Sequence, residues 1–439
     1  MFSDAWVLLG IILIGMGTWF RQPAMLALGV LLLVIIPIAW AWKRLTLRAV
    51  SYERVLDENR VFVGETTGLR LVTTNRKPLP VPWLTIEDTF PAGLEVVERD
   101  TRPAASGGER TLSNVMALRW YERVVRQYTL HCPQRGFYFI GPATLRSGDL
   151  FGLFETRARV SAATRLIVYP QVTPLEELGF PAKEPFGDAR SPQPIFEDPL
   201  RTVGIRDYQP EDSFRHVHWK ASARQQQLQT RVYEPTATQR IVIVLNIATF
   251  ANPWVGILPD EQERVISVAA SIAYHATQRR QAVGLVANGS VPRSDQTIRV
   301  MPSRDPGVLT RILEALAAVG QFSTERIERI LAQETPRLPW GATLVVVTCV
   351  VTPELLAEMT RLRSAARRIV LVSLDAAYTE DSLPGIVVYH VPPAELVYGR
   401  HDSGAEPRRP GGDRPRAAAA AAIPDDPDAI FRRPMGGAP

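Results

Sequence analysis

Residues 24–42 form an unbroken run of 19 residues without a charge, close to the ~20 that an α-helix needs to cross a hydrocarbon core about 30 Å thick. In lipid such a segment satisfies its backbone by being helical. Residues 5–20 make a second charge-free run, separated from the first only by Arg21-Gln22-Pro23. Together they predict a two-helix transmembrane hairpin over residues 1–42, meeting the lipid bilayer through 5–42. Pro23 suits a turn and the first position of the second helix. Trp6, Trp19, Trp40 and Trp42 stand where interfacial aromatic belts are expected, and Pro37 predicts a kink that a membrane helix tolerates. A signal peptide is the lesser reading, because Met1-Phe2-Ser3-Asp4 has no positive side chain and no small-residue cleavage site precedes the second run. Lys43, Arg44 and Arg48 follow the second run, against Arg21 alone in the turn. The positive-inside bias then predicts a multi-pass plasma-membrane protein whose remaining residues are cytoplasmic.

Beyond the hairpin the composition is that of a folded protein: 46% hydrophobic and 22% charged over 439 residues, enough for two or three units. The net charge of +5 comes from arginines spread along the chain, so nucleic acid is not expected as a partner. Cys132 and Cys349 are the only cysteines, and they fall in different predicted units. A disulfide framework and a cysteine-based zinc site are both excluded, and two buried thiols in a reducing compartment are expected.

Residues 50–170 carry short alternating runs at 69–73, 83–86, 124–130, 137–140 and 165–169, punctuated by turn residues such as those at 75–78, 91–93 and 104–108. That rhythm predicts an antiparallel β-sandwich. Trp83 and Trp120 are assigned to its core, and no convergent polar cluster is read in it. Residues 171–239 hold a proline-rich connector, with Pro174, Pro181, Pro185, Pro192, Pro194 and Pro199, and then a charged segment. Over 240–395 strands alternate with helices: strands at 241–245, 282–287, 343–350, 369–374 and 386–389, helices at 261–280, 306–319, 324–333 and 353–366. The strands are nearly continuous in Val, Ile and Leu. This predicts a Rossmann-type α/β unit, its mostly parallel sheet covered on both faces, with any ligand site beyond the carboxyl ends of the strands, after Leu245. Residues 396–439, rich in Pro, Gly, Arg and Asp with an alanine run at 417–422, are expected to be disordered; a docking peptide around Ile430 and Phe431 is the lesser reading.

The charged segment, residues 206–224, reads R-D-Y-Q-P-E-D-S-F-R-H-V-H-W-K-A-S-A-R. With the strand that follows, it resembles the DUF58 family of bacterial membrane proteins. That family's segment typically reads R-x-Y-x-P-G-D-x-x-R-x-I-D-W-K-A-S-A-R, matched here in register by Arg206, Tyr208, Pro210, Asp212, Arg215, Trp219, Lys220, Ala221, Ser222, Ala223 and Arg224. Glu211 and His218 depart from it, standing where Gly and Asp are usual. Arg135-Gly136-Phe137-Tyr138 and the run G-D-L-F-G-L-F at 148–154 extend the resemblance, which spans roughly 50–391.

The resemblance implies a von Willebrand factor A (vWA)-like α/β domain, tethered to a membrane and acting as an adaptor or scaffold for a MoxR-type AAA+ ATPase. In vWA domains Asp-x-Ser-x-Ser at the first strand's end holds a divalent ion through oxygen ligands. Asn246, Ala248 and Phe250 occupy those positions here, so a degenerate metal site, without metal or other cofactor, is expected. The binding residues implied by the motif are Arg206, Tyr208, Asp212, Arg215, Trp219, Lys220 and Arg224. Two readings of that cluster stay open: an internal clamp in which the guanidinium forks tie a turn to the sheet and Trp219 fills a gap, or a recognition surface.

No catalytic residue is assigned, since no phosphate-binding loop, G-x-S-x-G elbow or H-E-x-x-H occurs. The enzyme alternative is a metal-assisted hydrolase in which His216 and His218, both on one face of a strand, act with Asp212 or Glu211. Two histidines alone fall short of the three or four donors of a zinc site.

Overall fold

The computed structural model describes residues 2–99, 101–103, 108–181, 197–209, 214–235, 240–252, 255–290, 297–380 and 382–392. Residues 396–439 and Pro185, Pro192 and Pro194 of the connector lie outside these. The chain divides into two compact units, residues 1–169 and 170–439.

The first unit begins with helices α1 (Phe2–Trp19) and α2 (Pro23–Thr46), which turn at Arg21 through a left-handed backbone conformation (φ 48°). They approach closely. A Cβ added at Gly29 would lie 2.9 Å from the carbonyl oxygen of Gly10, and one at Gly17 would lie 2.7 Å from the amide nitrogen of Leu26. Small residues at such contacts are how helices pack in lipid. α2 is long and apolar enough to cross a membrane, whereas the apolar described part of α1 is the shorter stretch Leu8–Trp19.

Twelve strands follow: β1 (Val50–Leu56), β2 (Arg60–Phe62), β3 (Thr66–Asn75), β4 (Val81–Pro91), β5 (Glu95–Val96), β6 (Arg102–Pro103), β7 (Glu109–Leu118), β8 (Arg123–His131), β9 (Gly136–Ile140), β10 (Ala143–Gly148), β11 (Glu155–Val160) and β12 (Thr164–Tyr169). They form antiparallel sheets β1-β3-β8-β5 and β11-β10-β4-β7-β6, and a mixed sheet β2-β12-β9. Alternate residues point inward, so Leu69, Leu84, Ile86, Phe90, Leu112, Leu130, Leu145 and Leu166 share one core. Two sequence expectations fail here. Trp120 is 66% exposed, because it lies in the turn between β7 and β8 rather than on a core-facing strand position. The unit also holds a buried polar cluster: Asp88, on the inward face of β4, accepts from Tyr52 Oη (2.7 Å) and from Arg54 Nε and Nη2 (2.7 and 2.8 Å).

The second unit opens with residues 171–181, where Leu175, Leu178 and Phe180 are buried. Thr173 N donates to Ser271 Oγ at 2.9 Å. An antiparallel ribbon follows, β13 (Glu197–Asp207) with β14 (Gln229–Pro235), the short helix α3 (Trp219–Gln225) lying between them in sequence. Then come β15 (Arg240–Leu245), α4 (Pro259–Gln278), β16 (Ala282–Ala287), β17 (Ile298–Ser303), α5 (Val308–Ala318), α6 (Ile327–Glu334), β18 (Thr343–Thr348), α7 (Pro353–Ser364), β19 (Arg368–Ser373), β20 (Ser382–Leu383) and β21 (Ile386–His390).

The sheet order is β17-β16-β15-β18-β19-β21-β20, with the five central strands parallel and β17 and β20 antiparallel at the edges. Val242, Val244, Leu344, Val346 and Leu371 pack on α6 and α7. The alternate residues Ile241, Ile243 and Leu245, equally buried, turn to the opposite face, which α4 covers. Chain connections leave β15 toward β16 and leave β18 toward β19, in opposite directions. The crevice beyond the carboxyl ends of β15 and β18 is therefore the topological switch point of the sheet.

Candidate functional site

The switch point is filled by buried residues at or just past the carboxyl ends of three parallel strands, and their polar groups are matched to one another. Asn246, just past β15, donates through Nδ2 to Thr348 Oγ1 (3.0 Å). Its Oδ1 accepts from Asn288 Nδ2 (2.8 Å) and from the amide of Ala248 (3.2 Å). Asn288, past β16, accepts the amide of Ile247 at Oδ1 (2.8 Å) and donates to the carbonyl of Glu325 (3.2 Å). Thr348 accepts from the amide of Val350 and donates to that residue's own carbonyl (2.7 Å). Thr249 Oγ1 accepts from the amide of Leu258. Asn246, Asn288, Thr348 and Thr249 are all buried, and a buried amide network of this kind is stable because each member is satisfied.

A hard divalent cation needs oxygen lone pairs that point into a common space. The oxygens of Asn246 and Thr348 point at protein donors, Asn246 carries no charge, and Ala248 and Phe250 have no side-chain oxygen. The residues present do not fit the ion. Among the described residues no group of three or more His, Cys, Asp or Glu is placed to hold a metal. Cys349 borders the crevice and donates its thiol to the carbonyl of Ala248 at 3.3 Å. Burial, with the Glu261 carboxylate next, pushes that thiol up to about 12, so at neutral pH it is protonated and a poor nucleophile.

The motif segment is a second, separate arrangement. His218 caps α3: its Nδ1 accepts from the amide of Ala221 at 3.1 Å. Ser222, one turn on, donates to the carbonyl of His218 (3.1 Å) and accepts the amide of Gln229 (2.9 Å). Val217 bridges Thr230, and Tyr208 stacks against Phe214 with ring centroids 5.3 Å apart. The inner face of this segment is pinned to β14 by the His218 amide, which donates to the carbonyl of Gln229 (2.8 Å), by Val217 and by Ser222. Ser222 is absent from the binding residues that the motif implies; its position in W-K-A-S-A-R, one helical turn after the His218 cap, is the signal that could have marked it.

Trp219 lies on the outer face, 65% exposed, as is Phe214, with Lys220 and Arg224 also exposed. Trp219 therefore fills no gap, and the clamp reading loses that element. Arg206 donates to the carbonyl of Asp207 (3.1 Å), whose carboxylate accepts from Gln229. Asp212 and the side chain of Arg215 lie outside the described residues, as do Pro210 and Glu211. His216 ends a 3-10 turn (Phe214–His216) and His218 is a helix cap, so the two do not lie on a strand as expected for the hydrolase reading.

Residues 204–395 match the model of the family described as protein of unknown function DUF58. The match supports DUF58 for that stretch, which is narrower than the 50–391 span suggested by motif resemblance. The uncharacterized protein YeaD of Bacillus subtilis is 27% identical over 247 residues, covering 55% of this chain. The chain spans 57% of that relative's length. Solved structures align to a smaller part. A CARDB domain from Pyrococcus furiosus is 16% identical over 27% of this chain and 91% of its own (TM-score 0.20), and a cupredoxin domain from Nitrosocaldus yellowstonii is 11% identical over 28% and 89% (TM-score 0.19). Likenesses this low carry no argument about fold or activity.

Proposed function

We propose that this protein is a membrane-anchored, cytoplasm-facing interaction module, in which a vWA-like α/β unit with a degenerate metal site presents the DUF58 segment to a protein partner, a MoxR-type AAA+ ATPase. On this reading both N-terminal helices cross the membrane. The observation that carries it is the two-sidedness of residues 214–224. Their inner face is tied down by His218, Val217 and Ser222, while Phe214 and Trp219 stand in solvent beside Lys220 and Arg224. Aromatic and arginine side chains held rigidly at a surface are the residues most enriched in binding hot spots, and preorganisation lowers the entropy that binding must overcome. The self-satisfied crevice supports a role for the fold as a support rather than as a reaction chamber.

The test is affinity purification of the full-length protein from detergent-solubilised native membranes, with and without chelator, comparing wild type with Trp219→Ala. The expected result is an AAA+ ATPase retained equally with and without chelator and lost from the variant. Retention by Trp219→Ala would remove the surface from the proposal, dependence on a divalent ion would reopen the metal site, and recovery of no ATPase would remove the partner.

A further inference from the structure

The strand register of the first unit fixes which of its loops share an end with α2. β1 begins four residues after α2, and its first residue pairs with the last of β3: Val50 with Asn75. Thr74 pairs with Arg123, placing the start of β8 at that end. Val81 pairs with Leu118, adding the start of β4 and the end of β7, and Leu84 pairs with Ser147, adding the end of β10. The loops 76–80, 119–122 and 149–154 therefore surround the point where the chain leaves α2. Side chains agree: Lys77 Nζ donates to the carbonyls of Thr46 and Arg48 at the end of α2, Thr46 Oγ1 meets Ser147 Oγ at 3.5 Å, and Lys43 Nζ lies 5.7 Å from the centre of the Phe154 ring.

Two of these loops carry large apolar side chains into solvent. Trp120 and Tyr121 are 66% and 67% exposed, and Leu150 and Phe151 are 57% and 55% exposed. Each pair is held by its backbone. Tyr121 has a left-handed conformation (φ 53°), which costs a bulky residue about 1 kcal/mol or more and which Gly or Asn would adopt more easily. The second loop is wrapped around the buried carboxylate of Asp149, which accepts the amides of Phe151, Leu153 and Phe154, so Leu150 and Phe151 are pushed outward. Arg44, Arg48, Arg76, Arg119 and Arg123 are exposed around the same end.

We infer that this end of the first unit docks on the surface of the bilayer that α2 crosses, with Trp120, Tyr121, Leu150 and Phe151 inserted at the headgroup level and the surrounding arginines on anionic headgroups. The inference rests on α2 being a membrane span. The charge-free residues 24–42 cover the hydrocarbon core at about 1.5 Å per residue, which sets Lys43, Arg44 and the loops touching residues 43–48 at the interface. Aromatic residues and arginine favour that layer. The contacts of Lys77, Ser147 and Phe154 already tie the unit to the end of α2, and docking fixes the tilt of the joined pair against the bilayer.

The test uses full-length protein in vesicles of phosphatidylcholine and phosphatidylglycerol, with an environment-sensitive fluorophore attached through Trp120→Cys, Phe151→Cys or, as control at the opposite end, Val97→Cys. Val97 is 64% exposed and follows β5, which pairs with the far end of β8. Both native cysteines are buried and contribute little labelling. Labels at 120 and 151 are expected to lose emission to nitroxide-bearing lipids and to shift to the blue, with the label at 97 doing neither. Equal behaviour at all three sites, in protein that resists alkaline carbonate extraction, overturns the docking while leaving the membrane span intact. Extraction of the protein by carbonate removes the span and the docking together.

Discussion

Asp88 faces inward between Ile86 and Phe90 on β4, where a lone carboxylate would cost several kcal/mol. It is tolerated because Arg54 grips it with two nitrogens and Tyr52 adds a hydroxyl; burial of the phenol beside that carboxylate pushes Tyr52 far above its ordinary range. Removing one member of such a pair leaves the other charge buried and uncompensated. Asp88→Ala is therefore expected to destabilise the first unit by about 3–5 kcal/mol, while Tyr52→Phe, which removes one donor from an acceptor that keeps its other partners, costs about 1–2 kcal/mol. Denaturant unfolding followed through the first unit's tryptophans checks both, and equal losses would mean that the charge pair is not what matters. The pair is not legible in the sequence, since its members lie 34 residues apart and meet only through sheet packing. Asn246 is half legible: the missing carboxylate is plain in the sequence, but its partners Asn288 and Thr348 stand at the ends of two other strands.

The thiols give a second prediction at this scale. Burial pushes Cys132 and Cys349 up to about 12, whereas a thiol in an unfolded chain ionises near about 8.5. Between those values the folded state keeps protons that the unfolded state has released, so stability falls as pH rises, by at most about 1.4 kcal/mol per unit for each thiol. Below that window they contribute nothing to the pH dependence. Replacing Cys349 by Ala is expected to lower the whole stability-against-pH curve, because packing and the bond to the Ala248 carbonyl are lost, and to flatten its alkaline limb while leaving the neutral region as level as before; an unchanged limb would refute the assignment.

At the scale of elements, legibility tracks burial on two faces. β15, β16 and β18 read directly from R-I-V-I-V-L, A-V-G-L-V-A and T-L-V-V-V-T, because strands covered on both sides are continuously apolar. β17 does not, since I-R-V-M-P-S on an edge alternates and ends near a proline. The β13–β14 ribbon and the seven-residue α3 are hidden for a related reason: a two-stranded ribbon and a helix of two turns have no long apolar period to detect. Trp120 departs from its expected place because hydrophobicity marks what a side chain prefers and not where a turn puts it. The helical pair offers the sharpest test at this scale. Gly29→Leu would place a side chain against the backbone of Gly10 and the side chain of Ile14, and is expected to splay α1 from α2. Crosslinking between cysteines introduced at Gly10 and Leu33, whose side chain lies 3.3 Å from where a Cβ on Gly10 would sit, should form in the parent and fail in the variant.

At the scale of the whole molecule, the proposed orientation joins the membrane reading to the partner reading, since a cytosolic ATPase can reach residues 214–224 only if the second unit is cytoplasmic. The basic residues after α2, Lys43, Arg44 and Arg48, outnumber Arg21 in the turn, and basic residues are retained on the cytoplasmic side during insertion. The burial of both native thiols makes the prediction easy to read, because a cysteine placed at the 72% exposed Phe322 becomes the reactive site. In intact cells a maleimide that cannot cross the membrane holding the protein should leave Phe322→Cys unlabelled and should label it once that membrane is permeabilised. Labelling in intact cells would put the second unit outside, and with it the exposed Trp219, where no cytosolic partner could bind; the arginines around α2 would then face the outer leaflet, and the adaptor proposal would fall even if the bilayer docking of the first unit survived.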